Sequence, residues 1–180
     1  MGKRLSLLHE IVPQTERIAV LVNPAHPSDA QATVQNVTKA AGVLDLDLRV
    51  FNAGTISEID AAFEALVAWH AGAVVVGPNP FFGARRAQIT ALATRHRLPT
   101  TVFSRGFVKA GGLISYGPDT MDMYRQADGY VGRILKGEKP ADLPVQQPTK
   151  FEFVINLKTV KALGLSISPT TLARADDIVE

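Results

Sequence analysis

Cysteine is absent from this 180-residue chain, which removes disulfides, zinc–thiolate centres and thiol nucleophiles together. Clustered positive charge is also missing. The net charge is only +2 at pH 7, and no segment gathers the basic stripe that phosphate contacts require, so no nucleic-acid partner is expected. No stretch approaches the roughly 20 apolar residues of a spanning helix, so no direct membrane insertion is expected. The start, MGKRLSLLHEIV, is basic but His9 and Glu10 interrupt any apolar core of about 7–15 residues, so no export signal is expected within this chain. Leu5, Leu8 and Ile11 instead share one helical face. There is no Walker loop, no G-x-G-x-x-G and no G-x-S-x-G elbow. His9, His26, His70 and His96 fall at no metal-ligand spacing. The expectation is a chain with no catalytic residue, no metal and no cofactor, and not an enzyme. Apolar residues make up 46% and charged residues 20%, which suits a packed domain rather than disorder.

What is present centres on Gly72–Phe82, GAVVVGPNPFF. Ala73–Val76 is short and uniformly apolar, as a strand covered on both faces should be. Gly77 and Pro78 stop it. Asn79, Pro80, Phe81 and Phe82 then place an amide and two aromatics where ligands collect in open α/β sheets, beyond the carboxyl ends of strands. Each phenylalanine suits cleft lining or core beneath the next helix.

Around that strand the pattern alternates. A helix is predicted over about 3–12, a strand over 17–22, and a helix capped by Ser28 or Asp29 and ended by Gly42. A strand over 46–51 follows, then a helix to about His70 opened by a Ser57/Asp60 capping box. After the 73–76 strand come a helix over about 83–96, a strand over 100–103, a turn-rich 104–112 and a strand over 113–116 broken by Gly117-Pro118. Asp119 caps a helix over about 120–136. Residues 140–148 read as an extended connector, followed by a strand over 151–155, a helix stopped by Gly164 and a last helix near 170–178. This is the alternation of an α/β, doubly wound parallel sheet. The inferred order 2-1-3-4 sets the 18–22 and 73–76 strands side by side, with Asn23–Pro27 facing Pro78–Phe82 across the switch point.

The candidate site is therefore Asn23, Asn79, Pro80, Phe81, Phe82, Ser104, Arg105 and Tyr116. Arg105 follows a strand's carboxyl end, where a guanidinium can clamp a carboxylate; Arg85 and Arg86 are weaker candidates for an anion. Tyr116 offers an aromatic face with a hydroxyl, or hinge packing. His26 lies in a candidate loop. Asp119 and Asp122 read as helix-cap residues rather than an acid/base pair. Such a set binds and orients a small molecule but holds no group that breaks a bond.

With these residues placed, the chain resembles the substrate-binding proteins of ABC-type uptake transporters, in the branch with tryptophan- and other aromatic amino-acid-binding members. The likeness is carried by KRLSLLHEIVPQTERIAVLVNP, AGAVVVGPNPFF, HRLPTTVFSRGFVKAGGLISYGPD, RILKGEKPADLPVQQPTKFEFVINLKTVKALGL (with Val160 where the family has alanine) and ISPTTLARADDIVE. The resemblance implies a two-lobed type I periplasmic-binding fold that closes on its ligand, an extracytoplasmic or periplasmic location, a small-molecule ligand such as an amino acid, and a transporter permease as partner. It implies that this chain corresponds to the second lobe (1–115), a hinge crossing and helix belonging to the first lobe (116–150), and a return strand, helix and tail (151–180), with the first lobe incomplete. The 120–136 helix is then expected to lack its usual cover and to promote self-association. Two rivals are the ligand-sensing core of a LacI-type regulator, which calls for a DNA-reading headpiece, and a small flavodoxin-like enzyme or signalling domain. The latter calls for phosphate-cradling glycines, where NPAHP offers prolines.

Overall fold

The computed structural model describes residues 2–180. Its seven strands are β1 (Arg17–Val22), β2 (Asp47–Asn52), β3 (Ala73–Val76), β4 (Thr100–Val102), β5 (Ile114–Pro118), β6 (Phe151–Asn156) and β7 (Asp177–Val179). They form one sheet in the order β2-β1-β3-β4-β5-β6-β7. The first five are parallel; β6 runs antiparallel to β5, and β7 parallel to β6. The expected 2-1-3-4 order is therefore present, and Ile18–Leu21 pairs in register with Ala73–Val76. Burial follows composition: uniformly apolar β3 is buried along its length, while alternating β2, at the sheet edge, is buried only at Phe51.

Helices cover both faces. On one side lie α1 (Gly2–Ile11), α2 (Pro27–Leu44) and α8 (Leu157–Leu163). Leu5, Leu8, Val37 and Val160 from these pack with Ile18, Val20 and Val75. On the other side lie α3 (Ile56–Ala68), α5 (Arg86–Arg95) and α6 (Arg105–Lys109). There Ile59, Phe63, Leu66, Ile89 and Phe107 pack with Leu21, Val74 and Val76. The remaining helices are α4 (Pro80–Ala84), α7 (Thr120–Leu135) and α9 (Pro169–Ala173).

Several boundaries differ from expectation, each for a local reason. α2 starts at Pro27, with His26 at the cap position and no side-chain cap bond, because proline at the first helical position fixes φ without losing a bond. It runs past Gly42 to Asp45 in the left-handed region (φ 54°); burial of Val37 and Ala41 on one face outweighs the roughly 1 kcal/mol cost of a mid-helix glycine. The capping box is Thr55/Glu58 rather than Ser57/Asp60: Glu58 Oε2 accepts from Thr55 N at 3.1 Å and Gly54 N at 2.6 Å. The Asp60 carboxylate instead accepts from Gln88 Nε2 at 2.9 Å. The 83–96 helix is two helices that meet at Arg85, because Asn79 starts a separate turn with Pro80 at its first position. The turn-rich 104–112 segment contains α6, and the terminal helix gives way to α9 and the short strand β7. β5 is not broken by Gly117-Pro118; its pairing with β6 extends to Pro118–Phe151. Gly164 ends α8 at φ 69°, as expected.

Between β5 and β6 the chain leaves the sheet. α7 has no buried residue, and the return segment follows it, with Tyr130 hydroxyl donating to the Pro144 carbonyl.

Candidate ligand site at the carboxyl ends of the strands

β1 and β3 end side by side, and each ends in asparagine-bearing sequence. Asn23 Nδ2 donates to Asn79 Oδ1 at 3.2 Å, joining the two loops across the switch point. The two side chains also shape their own loops. Asn23 Oδ1 accepts from Ala25 N at 3.0 Å, and Asn79 Oδ1 accepts from Phe81 N at 3.0 Å, capping α4. Both residues are about 5% exposed, so these bonds meet the requirement that buried polar groups be paired. Asn79 Nδ2 has no hydrogen-bond partner among the described residues. Gly77 admits the close approach of the loops, since a Cβ there would lie 3.0 Å from the Leu21 carbonyl oxygen. Val22, Thr33, Pro78 and the two asparagines line a cavity of about 10 Å³, room for roughly one water.

The aromatics divide. Phe82 is fully buried and belongs to the core under α4 and α5. Phe81 is half-buried, its ring 5.8 Å from Phe82 and tilted at 49°. Pro80 is exposed on the first turn of α4.

Ser104 and Arg105 lie one strand away, after β4. Ser104 stands at the cap position of α6, half-buried, with no side-chain hydrogen bond to the helix. Arg105 is held by the chain's own carboxylates: Nη2 donates to Asp177 Oδ2, and Nε lies 3.6 Å from Glu152 Oε2, an ion-pair rather than hydrogen-bond distance. Glu152 is pushed above the usual carboxylate range by burial, against the pull of Arg105. Tyr116 stacks on Phe151, centroids 5.7 Å apart and planes 17° apart. Its carbonyl accepts from Arg4 Nε at 2.7 Å, and burial lowers the Arg4 guanidinium to about 10.

Asp119 caps α7, Oδ1 accepting from Met121 N (3.0 Å) and Asp122 N (3.2 Å). Its hydrogen bond from Lys150 is the main cause holding it below the usual aspartate range. His26 is exposed in its loop; Arg86 donates to the Gly83 carbonyl at 3.0 Å, and Arg85 is exposed. Among the described residues no three metal-ligating side chains converge, and no helix is long and apolar enough to cross a membrane.

Asn23 and Asn79 thus meet, with Pro80 to Phe82 continuing one side of the same loop pair. Ser104, Arg105 and Tyr116 belong to the neighbouring end of the sheet. Phe151, Glu152 and Asp177 escape the sequence reading, because their partners depend on the antiparallel return of β6, which no local pattern announces.

The arrangement is that of one lobe of a type I periplasmic-binding fold. The chain belongs to the family described as ABC transporter substrate binding protein, which matches residues 1–179. Among curated relatives it is 23% identical, over 165 residues, to the tyrosine-binding protein of Clostridioides difficile (strain R20291), covering 92% of this chain and 47% of that protein. Among solved structures it resembles the ABC domain in complex with L-Trp from Streptococcus pneumoniae (TM-score 0.89, 21% identity, 99% of this chain and 60% of that one). It also resembles a conserved domain protein from Vibrio cholerae (TM-score 0.88, 24% identity, 98% of this chain and 59% of that one). The chain thus spans about half to three-fifths of the length of these proteins. Family membership favours a binding protein over the regulator and flavodoxin-like readings.

Proposed function

We propose that this chain supplies one ligand-gripping lobe of the substrate-binding component of an ABC-type uptake transporter. It takes a small molecule such as an amino acid beyond the carboxyl ends of β1, β3 and β4. The observation that carries this is the Asn23–Asn79 pair with a free amide donor on Asn79 at the switch point, where α/β sheets bind ligands. Phe81, Pro80 and the Ser104 hydroxyl extend the surface on either side, and Tyr116 adds an aromatic face near the sheet's end. Phe82 contributes from beneath by fixing the loop, and Arg105 through the ion pairs it already makes. The aromatic amino acids named for the relatives, tryptophan and tyrosine, are the first ligands to try. The division into a lobe (1–115), a crossing with α7 (116–150) and a return segment (151–180) belongs to this reading, as do a permease partner and an extracytoplasmic setting.

Titration calorimetry of the chain with L-tryptophan and L-tyrosine, beside Asn79→Asp, tests it. Aspartate keeps the oxygen that caps α4 and accepts from Asn23 but removes the amide donor. A binding isotherm weakened about tenfold in the variant, the scale of one hydrogen bond to a charged group, with unchanged melting temperature, is expected. Equal affinity in both proteins would refute the role of Asn79, and no heat with any free amino acid would refute the reading for this chain.

A further inference from the structure

The end of the sheet at β6 and β7 carries a charge arrangement centred on Arg105. β7 is a three-residue edge strand, too short to be secure on ladder bonds alone. Asp176 ties its start to β6 twice, its N–H donating to the Phe153 carbonyl at 2.8 Å and its Oδ2 accepting from Phe153 N at 2.7 Å. Arg105, at the start of α6, then reaches both end strands, pairing with Glu152 on β6 and Asp177 on β7. The same place is a close backbone contact. Gly117 pairs with Glu152 in register, and the Phe103 carbonyl oxygen would lie 2.2 Å from a Cβ on Gly117. The rim loop between β4 and α6 is therefore seated directly on the crossing strand beside the ion pairs. At the other end of α6, Asn156 Nδ2 donates to the Val108 carbonyl at 2.8 Å, so Arg105 fixes the end nearest the ligand loops.

We propose that Arg105 is a positioning residue: it clamps the Phe103–Ser104 rim loop to β6 and β7, so that the rim and the crossing strands move as one body. The chemistry suits a clamp. A planar guanidinium presents a fixed fork that can serve two carboxylates at once. The Glu152 side chain is only 13% exposed, and a buried carboxylate without a cation would be costly. The charged groups around it are Arg105, Asp119, Asp176 and Asp177, so Arg105 is the cation of this set. The clamp does not depend on which ligand the rim contacts.

Hydrogen-exchange mass spectrometry on the full chain tests this without a ligand. Arg105→Gln and, separately, Asp177→Asn should each speed exchange of residues 103–107 and 177–179 by about two- to fivefold, the scale of a half-exposed ion pair, while β1 and β3 stay unchanged. The cross-effect is the diagnostic part: a change on β7 must register in the rim loop. Arg105→Lys, which keeps the charge but not the planar fork, should exchange in both segments at rates between those of the parent and Arg105→Gln. High salt should move the parent toward the variants, since Arg105 and Asp177 are 38% and 42% exposed. A rim loop unaffected by Asp177→Asn, acceleration spread through the whole sheet, or an Arg105→Lys chain that exchanges as fast as Arg105→Gln would overturn the clamp.

Discussion

Gly117 lies so tightly beneath Phe103 that a single added methyl group would sit 2.2 Å from the Phe103 carbonyl oxygen. The obstacle is backbone, so neither a rotamer change nor a flexible side chain can relieve it. The glycine is required for close approach, as its backbone lies outside the left-handed region. Gly117→Ala should therefore displace β5 from the β4–α6 loop and destabilise the chain by at least about 1–3 kcal/mol, the usual cost of overpacking. Urea denaturation measures it. A midpoint unchanged from the parent would mean that the loop shifts freely.

Phe82 offers a second quantitative check, since it is both a candidate site residue and fully buried. Phe82→Ala should cost about 3–5 kcal/mol, as large-to-small core changes do. If the chain binds a ligand, its affinity should suffer only in proportion to unfolding. A variant that melts like the parent yet loses ligand would give Phe82 a direct contact instead.

Glu152 predicts a pH effect with a definite sign. Its folded-state value is raised, mainly by burial, so it contributes stability that is complete below its ordinary value of 4.5 and lost as pH rises through the raised one. Glu152→Gln should remove that loss, flattening the stability profile just above pH 4.5. Asp119 works the other way: lowered chiefly by the hydrogen bond from Lys150, it loses its contribution as pH falls through its depressed value. Chemical denaturation of parent and Glu152→Gln at a series of pH values should show the difference, and identical profiles would refute the assignment.

α7 presents Met121, Met123, Tyr124, Val131 and Leu135 to solvent, the last 82% exposed. Exposed apolar clusters of this kind drive association. The chain alone should self-associate with rising concentration in sedimentation, and its α7 amides should exchange faster than those of β3. A concentration-independent monomer with α7 as protected as β3 would show that this helix needs no cover.

The sequence makes legible those features whose signal is local. β1 and β3 match their expected spans because Ile18–Val22 and Ala73–Val76 are apolar without alternation, and the switch-point juxtaposition of Asn23 and Asn79 follows from strand order alone. Cap choice was harder: Ser57/Asp60 and Thr55/Glu58 offer the same spacing, and only the reach of the longer glutamate side chain decides between them. The partners of Arg105 were beyond local reading. Asp177 lies 72 residues downstream, and its placement depends on a strand that a helical pattern near the terminus had obscured.

The excursion between β5 and β6 closes on itself. Asp119 N donates to the Lys150 carbonyl at 3.0 Å, and Asp119 receives the Lys150 ammonium at the same distance. Topologically, residues 120–149 are thus one long hairpin loop whose ends already meet, and closure entropy changes only slowly with loop length, so the sheet should tolerate changes in the length of this loop. A tight two-residue turn could replace the whole excursion, leaving a minimal seven-stranded lobe as a scaffold onto which other inserts could be grafted.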